Sequence, residues 1–114
     1  MVAIVVVSLE GVPIRLTEER WRHILEYHDE LARFLDNMII IAIAEPDGVF
    51  ESPSGVEKNL VAIKRFKELA RYGLADYLAV HYKEVSSEDG FILTVFPISV
   101  RKLQKRYKLW RRLK

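Results

Sequence analysis

Residues 76–99, which read DYLAVHYKEVSSEDGFILTVFPIS, carry the strongest structural signal in this chain. Two runs rich in Val, Ile, Leu, Phe and Tyr flank the polar segment Ser-Ser-Glu-Asp-Gly, and this pattern predicts a β-hairpin. Asp89-Gly90 is the expected turn, because glycine tolerates a positive φ angle. With a loop of two or four residues, one face of the hairpin is entirely apolar. That face contains Leu78, Val80, Tyr82, Phe91, Leu93, Val95 and Pro97.

The opposite face of the predicted hairpin carries Tyr77, His81, Lys83, Thr94 and Phe96. A slip of one residue would bring Lys83 beside Leu93 and Val95, so burial argues against it. We therefore expect one face to pack in the core and the other face to be available for chemistry.

The composition predicts a single domain over residues 1–114. Half of the residues are hydrophobic and 30% are charged, which is typical of a soluble globular protein. The chain has no cysteine, which excludes disulfides and thiolate metal sites. Its apolar start, MVAIVVVS, lacks a basic region and is too short to span a membrane, so a cytoplasmic location and no membrane partner are expected. Few amide side chains among many charges favour a thermophilic source.

Positive charge is concentrated at one end of the chain. Residues 101–114 contain eight Lys or Arg and no acid, whereas residues 1–100 contain 10 Lys or Arg and 16 Asp or Glu. Val100, Leu103, Tyr107 and Trp110 recur at helical spacing, which predicts an amphipathic basic helix. Such a helix on an acidic body indicates contact with a polyanion. The predicted nucleic-acid-binding residues are Arg65, Arg101, Lys102, Lys105, Arg106, Lys108 and Arg112.

The rest of the chain predicts one strand at the start, then two helices and then further strands. Val2–Leu9 shows almost no alternation of apolar and polar residues, so a strand buried on both faces is expected. Thr17 is the expected N-cap of a first helix, and a second, more deeply buried helix starts near Asp29 and ends before Pro46. Two strands precede the hairpin, Val49–Glu51 and Asn59–Phe66.

This order of elements predicts an α+β fold. N-terminal helices are expected to pack on a mostly antiparallel sheet of four or five strands, and the basic amphipathic helix closes the fold. The helices are expected to cover one face of the sheet, which leaves the other face partly open.

The residues of the open face match the needs of metal-free RNA cleavage. That reaction needs a base for the 2′-OH proton, an acid for the leaving oxygen and cations near the phosphate. His81 and Lys83 lie on one face of a strand, and Thr94 lies across from them on the paired strand. Lys64 or Arg65 on the neighbouring strand would clamp a phosphate.

No metal or cofactor is expected. His23 and His28 lie about 140° apart around a helix, so they do not face one ligand. The chain also lacks the motifs of metal, nucleotide and dinucleotide sites.

Four segments resemble small domains of the barnase–EndoU–colicin–RelE nuclease superfamily, especially its phage- and bacteria-associated branch. They are LTEERWRHILEYHDEL, AEPDGVFES, LAVHYKEVSSEDGFILTVFP and the neighbourhood of Trp110, and they cover most of the chain. The resemblance implies two helices ahead of an antiparallel sheet and a metal-independent ribonuclease, in many members a toxin. It also implies functional roles for Trp21, His23 and His28 of the W-x-H motif and its second histidine, and for Lys83 and Thr94.

Structural explanations compete for several of these residues. His28 lies on an apolar helix stripe, which is typical of a buried histidine bonded to the backbone. The alternation that places His81 and Lys83 on one face is also expected of an ordinary sheet face exposed to water. Tyr107 and Trp110 lie on an apolar stripe and are expected to pack rather than stack on bases.

Three functions stay open from the sequence. The leading hypothesis is a ribonuclease acting on RNA, with catalytic residues His81, Lys83, Thr94, His28 and Lys64. The second is a non-catalytic RNA- or DNA-binding module that uses the same face and the basic helix. The third is an interaction protein whose basic helix docks onto an antitoxin or another acidic protein.

Overall fold

The structure, a computed structural model, describes residues 2–27, 35–53, 58–71 and 75–114. Local patterns set most elements, since alternation of buried and exposed residues marks the strands and helical spacing marks the helices. The elements are β1 (Val2–Val7), β2 (Pro13–Thr17), α1 (Glu18–Tyr27), α2 (Leu35–Ala44), β3 (Gly48–Glu51), β4 (Lys58–Arg65), α3 (Lys67–Arg71), β5 (Tyr77–Ser86), β6 (Asp89–Ile98), α4 (Val100–Arg106) and β7 (Arg111–Arg112).

One sheet contains seven strands in the order β1-β2-β6-β5-β4-β3-β7. Strands β2 and β6 are parallel, and the other neighbours are antiparallel, so the sheet is mixed. The predicted sheet of four or five strands is therefore wrong. The N-terminal hairpin β1–β2 extends the sheet beyond β6, and the C-terminal segment extends it beyond β3.

Helices lie on both faces of this sheet. Ile24 of α1 and Ile39 of α2 belong to the main core, together with alternate residues of the central strands. Leu103 of α4 packs in a second core with Val61 on the opposite face. The expectation that the helices cover one face and leave the other partly open is wrong, because the segment from α4 onward returns across the second face.

The predicted hairpin of β5 and β6 is confirmed, although its register changes along its length. At the end away from the turn, Val80 pairs with Val95, which puts both on the predicted apolar face. Toward the turn, Tyr82 pairs with Ile92, so Leu93 is an extra residue between the pairs. This β-bulge places Ile92 in the core beside Tyr82, where Phe91 and Leu93 were predicted.

The hairpin turn lies at Ser87-Glu88, because Ser86 pairs with Asp89. Gly90, expected in the turn, instead allows β2 to approach β6. A Cβ atom at this position would lie 2.5 Å from Cδ1 of Ile14 and 2.7 Å from the carbonyl oxygen of Lys83. Glycine is therefore required here for close packing and not for a positive φ angle.

Strand β1 is at the edge of the sheet, and one of its faces is exposed. Val6 is buried in the main core, whereas Val5 and Val7 are 58% and 55% exposed. The prediction of a strand buried on both faces is wrong, because the face that carries Val5 and Val7 is open to solvent. No helix within the described residues is long and apolar enough to cross a membrane.

Candidate functional site

Helix α4 begins at a defined cap and is held to the sheet by two side chains. Ser99 is the N-cap, and its Oγ accepts a hydrogen bond from the backbone N–H of Lys102 at 3.3 Å. Leu103 and Tyr107 are buried against the second face of the sheet. The helix ends at Arg106, so the basic tail, predicted as one helix, is a seven-residue helix followed by strand β7.

Four cations project from this anchored segment. We call the side chains of Arg101, Lys102, Lys105 and Lys108 the basic surface. All four are exposed, and within the described residues none of them forms an ion pair. They therefore form a positive surface without acidic partners among the described residues, held at a fixed place on the sheet.

Two further cations of this segment, Arg106 and Arg112, contact aromatic rings of the sheet. The guanidinium of Arg106 lies 4.7 Å from the ring centroid of Phe96. Arg112 lies 5.4 Å from the ring centroid of Phe50 and donates from Nε to the carbonyl oxygen of Lys114 at 2.8 Å. Two of the predicted nucleic-acid-binding residues, Arg106 and Arg112, thus help to fasten the segment to the sheet.

His81 lies beneath the C-terminal end of α4, in an aromatic cluster. Its Nε2 is 2.6 Å from the hydroxyl oxygen of Tyr107, and its ring lies 5.4 Å from that of Phe96 and 5.7 Å from that of Trp110. Burial, together with the smaller effect of the positive charge of Arg106, lowers the pKa of His81 from 6.5 to about 4. The imidazole is therefore neutral at pH 7.

Tyr107 is the protonated partner in this pair. Burial raises its pKa to about 12, although the charge and hydrogen bond of Arg106 act in the opposite direction. The hydrogen bond between His81 and Tyr107 therefore joins two neutral groups and ties α4 to strand β5.

Three of the five predicted catalytic residues lie together. Thr94 pairs directly with His81 across the hairpin, and Lys83 follows His81 by two positions on the same face of β5. Lys64 lies on the opposite face of the sheet, since it alternates with Ile63 of the second core. His28 lies outside the described residues.

The expected phosphate clamp of Lys64 and Arg65 does not form one site. The two side chains point to opposite faces of β4, because they are consecutive in a strand. Lys64 Nζ lies 3.4 Å from Oδ1 of Asp47, and Arg65 Nε lies 3.4 Å from Oδ2 of Asp76. Each cation therefore faces a carboxylate rather than a shared space.

The W-x-H motif on α1 lies on the other side of the sheet from His81. Trp21 is partly buried and packs against the main core. His23 is exposed, with its ring 5.2 Å from that of Tyr27 and its Nδ1 3.9 Å from the Glu26 carboxylate. The structure therefore separates this motif from the hairpin residues.

A cleft of about 400 Å³ lies between α4 and the sheet, next to the basic surface. Its walls include Asp47, Phe50, Tyr77, Val100, Gln104 and Arg112. Sequence reasoning did not select Asp47 or Gln104, because they are far apart in the chain and belong to no motif. Tyr77 had a detectable signal, since it shares the alternating face of His81.

The described residues contain no group of three His, Cys, Asp or Glu side chains that could hold a metal ion. Comparison with protein-family models, with curated proteins and with solved structures finds no match to this chain.

Proposed function

We propose that this protein is a non-catalytic nucleic-acid-binding domain, with RNA as its ligand, and that its basic surface contacts the phosphates. The observation that carries this proposal is the set of four exposed cations on an anchored segment, without ion-pair partners among the described residues. Cations of this kind release counterions from a phosphate backbone when they bind it, which favours association. Phosphate contacts also set the orientation of the bound strand.

The geometry favours binding over cleavage. A general base works best with a pKa near the operating pH, whereas the pKa of His81 is lowered to about 4. Its Nε2 is also bonded to Tyr107, and Lys64 lies on the opposite face of the sheet. RNA is the expected ligand because of the resemblance to a superfamily of ribonucleases, which stays a prediction. A cytoplasmic location is part of the same proposal.

The test reverses the basic surface with Arg101→Glu, Lys102→Glu, Lys105→Glu and Lys108→Glu in one variant. If each cation contacts one phosphate, the slope of log K against log salt flattens by about three units for a single strand, and affinity falls by roughly a hundredfold or more. Thermal stability changes little, because exposed charges contribute only about 0–1 kcal/mol each. Fluorescence anisotropy with a labelled RNA at several salt concentrations measures the affinity and its slope.

A matched control separates local contacts from net charge. Reversing Arg20, Arg22, Lys67 and Arg71 produces the same net charge but leaves the basic surface intact, and RNA affinity is expected to fall far less. Equal losses in both variants would contradict the proposal. A DNA strand of the same length shows whether the ligand is RNA in particular.

The other functions predict different results in the same experiments. Degradation of RNA by the wild-type protein in EDTA would establish the ribonuclease. Unchanged RNA affinity with a destabilised charge-reversed variant would mean that the cations pair with the acidic body. Absence of both binding and cleavage would favour the interaction protein, with an antitoxin or another acidic protein as partner.

A further inference from the structure

The cleft beside the basic surface has one wall from α4 and one from the sheet. Val100 and Gln104 of α4 line the first wall, and Phe50 and Tyr77 line the second. Its volume of about 400 Å³ is in the range of small-ligand sites in proteins. Since the same helix carries the basic surface, a strand bound there passes the mouth of the cleft.

Tyr77 packs against the second core and also presents part of its side chain to the cleft. Phe50 is already engaged, because its ring stacks on Tyr107 with centroids 5.9 Å apart and Arg112 lies over it. Tyr77 is only half-buried, and among the described residues its ring has no aromatic or cationic partner. A planar ligand in the cleft would therefore find a ring for stacking.

Polar groups at the walls are held in place for hydrogen bonding. The Asp47 carboxylate is oriented by the backbone N–H of Arg65, which donates to Oδ2 at 2.8 Å, and by Lys64 Nζ, 3.4 Å from Oδ1. An ionised carboxylate retains further acceptor sites after these contacts. Gln104 is exposed and adds an amide with both donor and acceptor atoms.

We propose that this cleft takes one unpaired nucleobase of a single strand whose phosphates lie on the basic surface. This inference rests on the proposed function and specifies its ligand as single-stranded nucleic acid. Every base has a π face that stacks on an aromatic side chain, and the edge of a base carries amino and carbonyl groups that match Asp47 and Gln104. Bases in a duplex are stacked and paired, so they do not enter the cleft.

The test blocks the cleft without changing the charge. Val100 lines the cleft and is 47% exposed, so Val100→Trp fills its mouth with little disturbance of the core. Leu109→Trp is the matched control, because Leu109 is 81% exposed and does not line the cleft. The probes are an eight-nucleotide RNA of mixed sequence and an abasic ribose-phosphate strand of equal charge.

The wild-type protein and Leu109→Trp are expected to bind the RNA about tenfold or more tightly than the abasic strand, which is the usual effect of one stacked base. In Val100→Trp this preference is lost, while the salt dependence stays unchanged because the phosphate contacts remain. Tyr77→Leu removes the ring and is expected to reduce the same preference, with thermal melting as the check on folding.

Two results would overturn the inference. Equal binding of the RNA and the abasic strand by the wild-type protein, with normal salt dependence, would leave phosphate binding intact and exclude the base site. Equal preference in Val100→Trp and Leu109→Trp would place the base contact elsewhere. Failure of the proposed function is recognised separately, because neither strand would then bind and charge reversal would have no effect.

Discussion

At the scale of single residues, the environment of His81 determines its chemistry. The alternation along β5 places it on the face where a catalytic group was predicted, but that face is covered at this point by Tyr107 and Trp110. The resulting burial favours the neutral imidazole. His81 is therefore better suited to hold α4 in place than to exchange protons with a substrate.

This burial predicts a loss of stability in mild acid. The pKa of His81 is about 4 in the folded protein and 6.5 in the unfolded chain, so the unfolded chain binds the extra proton between these values. The free energy of unfolding therefore falls as pH decreases from 6.5 to about 4, by roughly 3 kcal/mol in total, and this contribution is constant above pH 6.5. Urea denaturation of the wild-type protein and His81→Phe across this pH range measures the difference.

Carboxylates titrate in both the wild-type protein and His81→Phe, so the difference between their pH profiles reports on His81. The pH dependence is expected to be smaller in His81→Phe than in the wild-type protein, because the variant lacks the buried imidazole. The same pH dependence in the wild type and His81→Phe would show that the imidazole is not buried in the neutral form.

At the scale of elements, α4 depends on the sheet for its stability. It has seven residues, and an isolated helix of this length does not persist in water. Leu103 is 7% exposed and belongs to the second core, whereas Val100, one turn earlier, is 47% exposed. The basic surface is therefore positioned by Leu103 and Tyr107 and not by helix propensity.

Alanine substitutions on α4 test this difference. Leu103→Ala is expected to lower the free energy of unfolding by about 2–4 kcal/mol, because it removes a buried side chain and leaves a cavity. Val100→Ala, the control on the same helix, is expected to cost less than about 1 kcal/mol. Denaturant unfolding of both variants gives these values. Equal costs would mean that α4 does not pack on the sheet through Leu103.

At the scale of the whole molecule, the sheet is covered unevenly. Strand β5 lies in the middle, pairs along most of its length with β4 and β6, and has core residues on both faces. Strand β7 is at one edge, contains two residues and pairs, among the described strands, with β3 alone. Stability is therefore expected to decrease from the centre of the sheet toward this edge.

Amide hydrogen exchange followed by NMR measures this gradient. Backbone amides in the middle of β5 are expected to exchange only through global unfolding, whereas those of β7 exchange through local opening and so orders of magnitude faster. Equal protection of β5 and β7 would contradict the gradient and would make the C-terminal segment part of the central cooperative unit.

Local features of this protein follow from the sequence alone. The hairpin of β5 and β6 was predictable because alternation and turn residues are close in the chain. Thr17 caps α1 as predicted, with its Oγ1 accepting from the backbone N–H of Arg20 at 3.2 Å. Leu103 and Tyr107 pack as their helical spacing predicts. Each of these signals depends on residues that are close together in the chain.

Tertiary structure alone decided the remaining features. Nothing in Pro13–Thr17 identifies β6 as its parallel neighbour, and the bulge at Leu93 depends on how both strands fit their neighbours. The surroundings of His81 are not evident from its neighbours in the sequence, because Tyr107, 26 positions away, covers it. A periodic pattern shows which face of an element is apolar but not which element covers it. That choice depends on contacts between segments distant in sequence, whose burial and charge then set the pKa and exposure of each candidate residue.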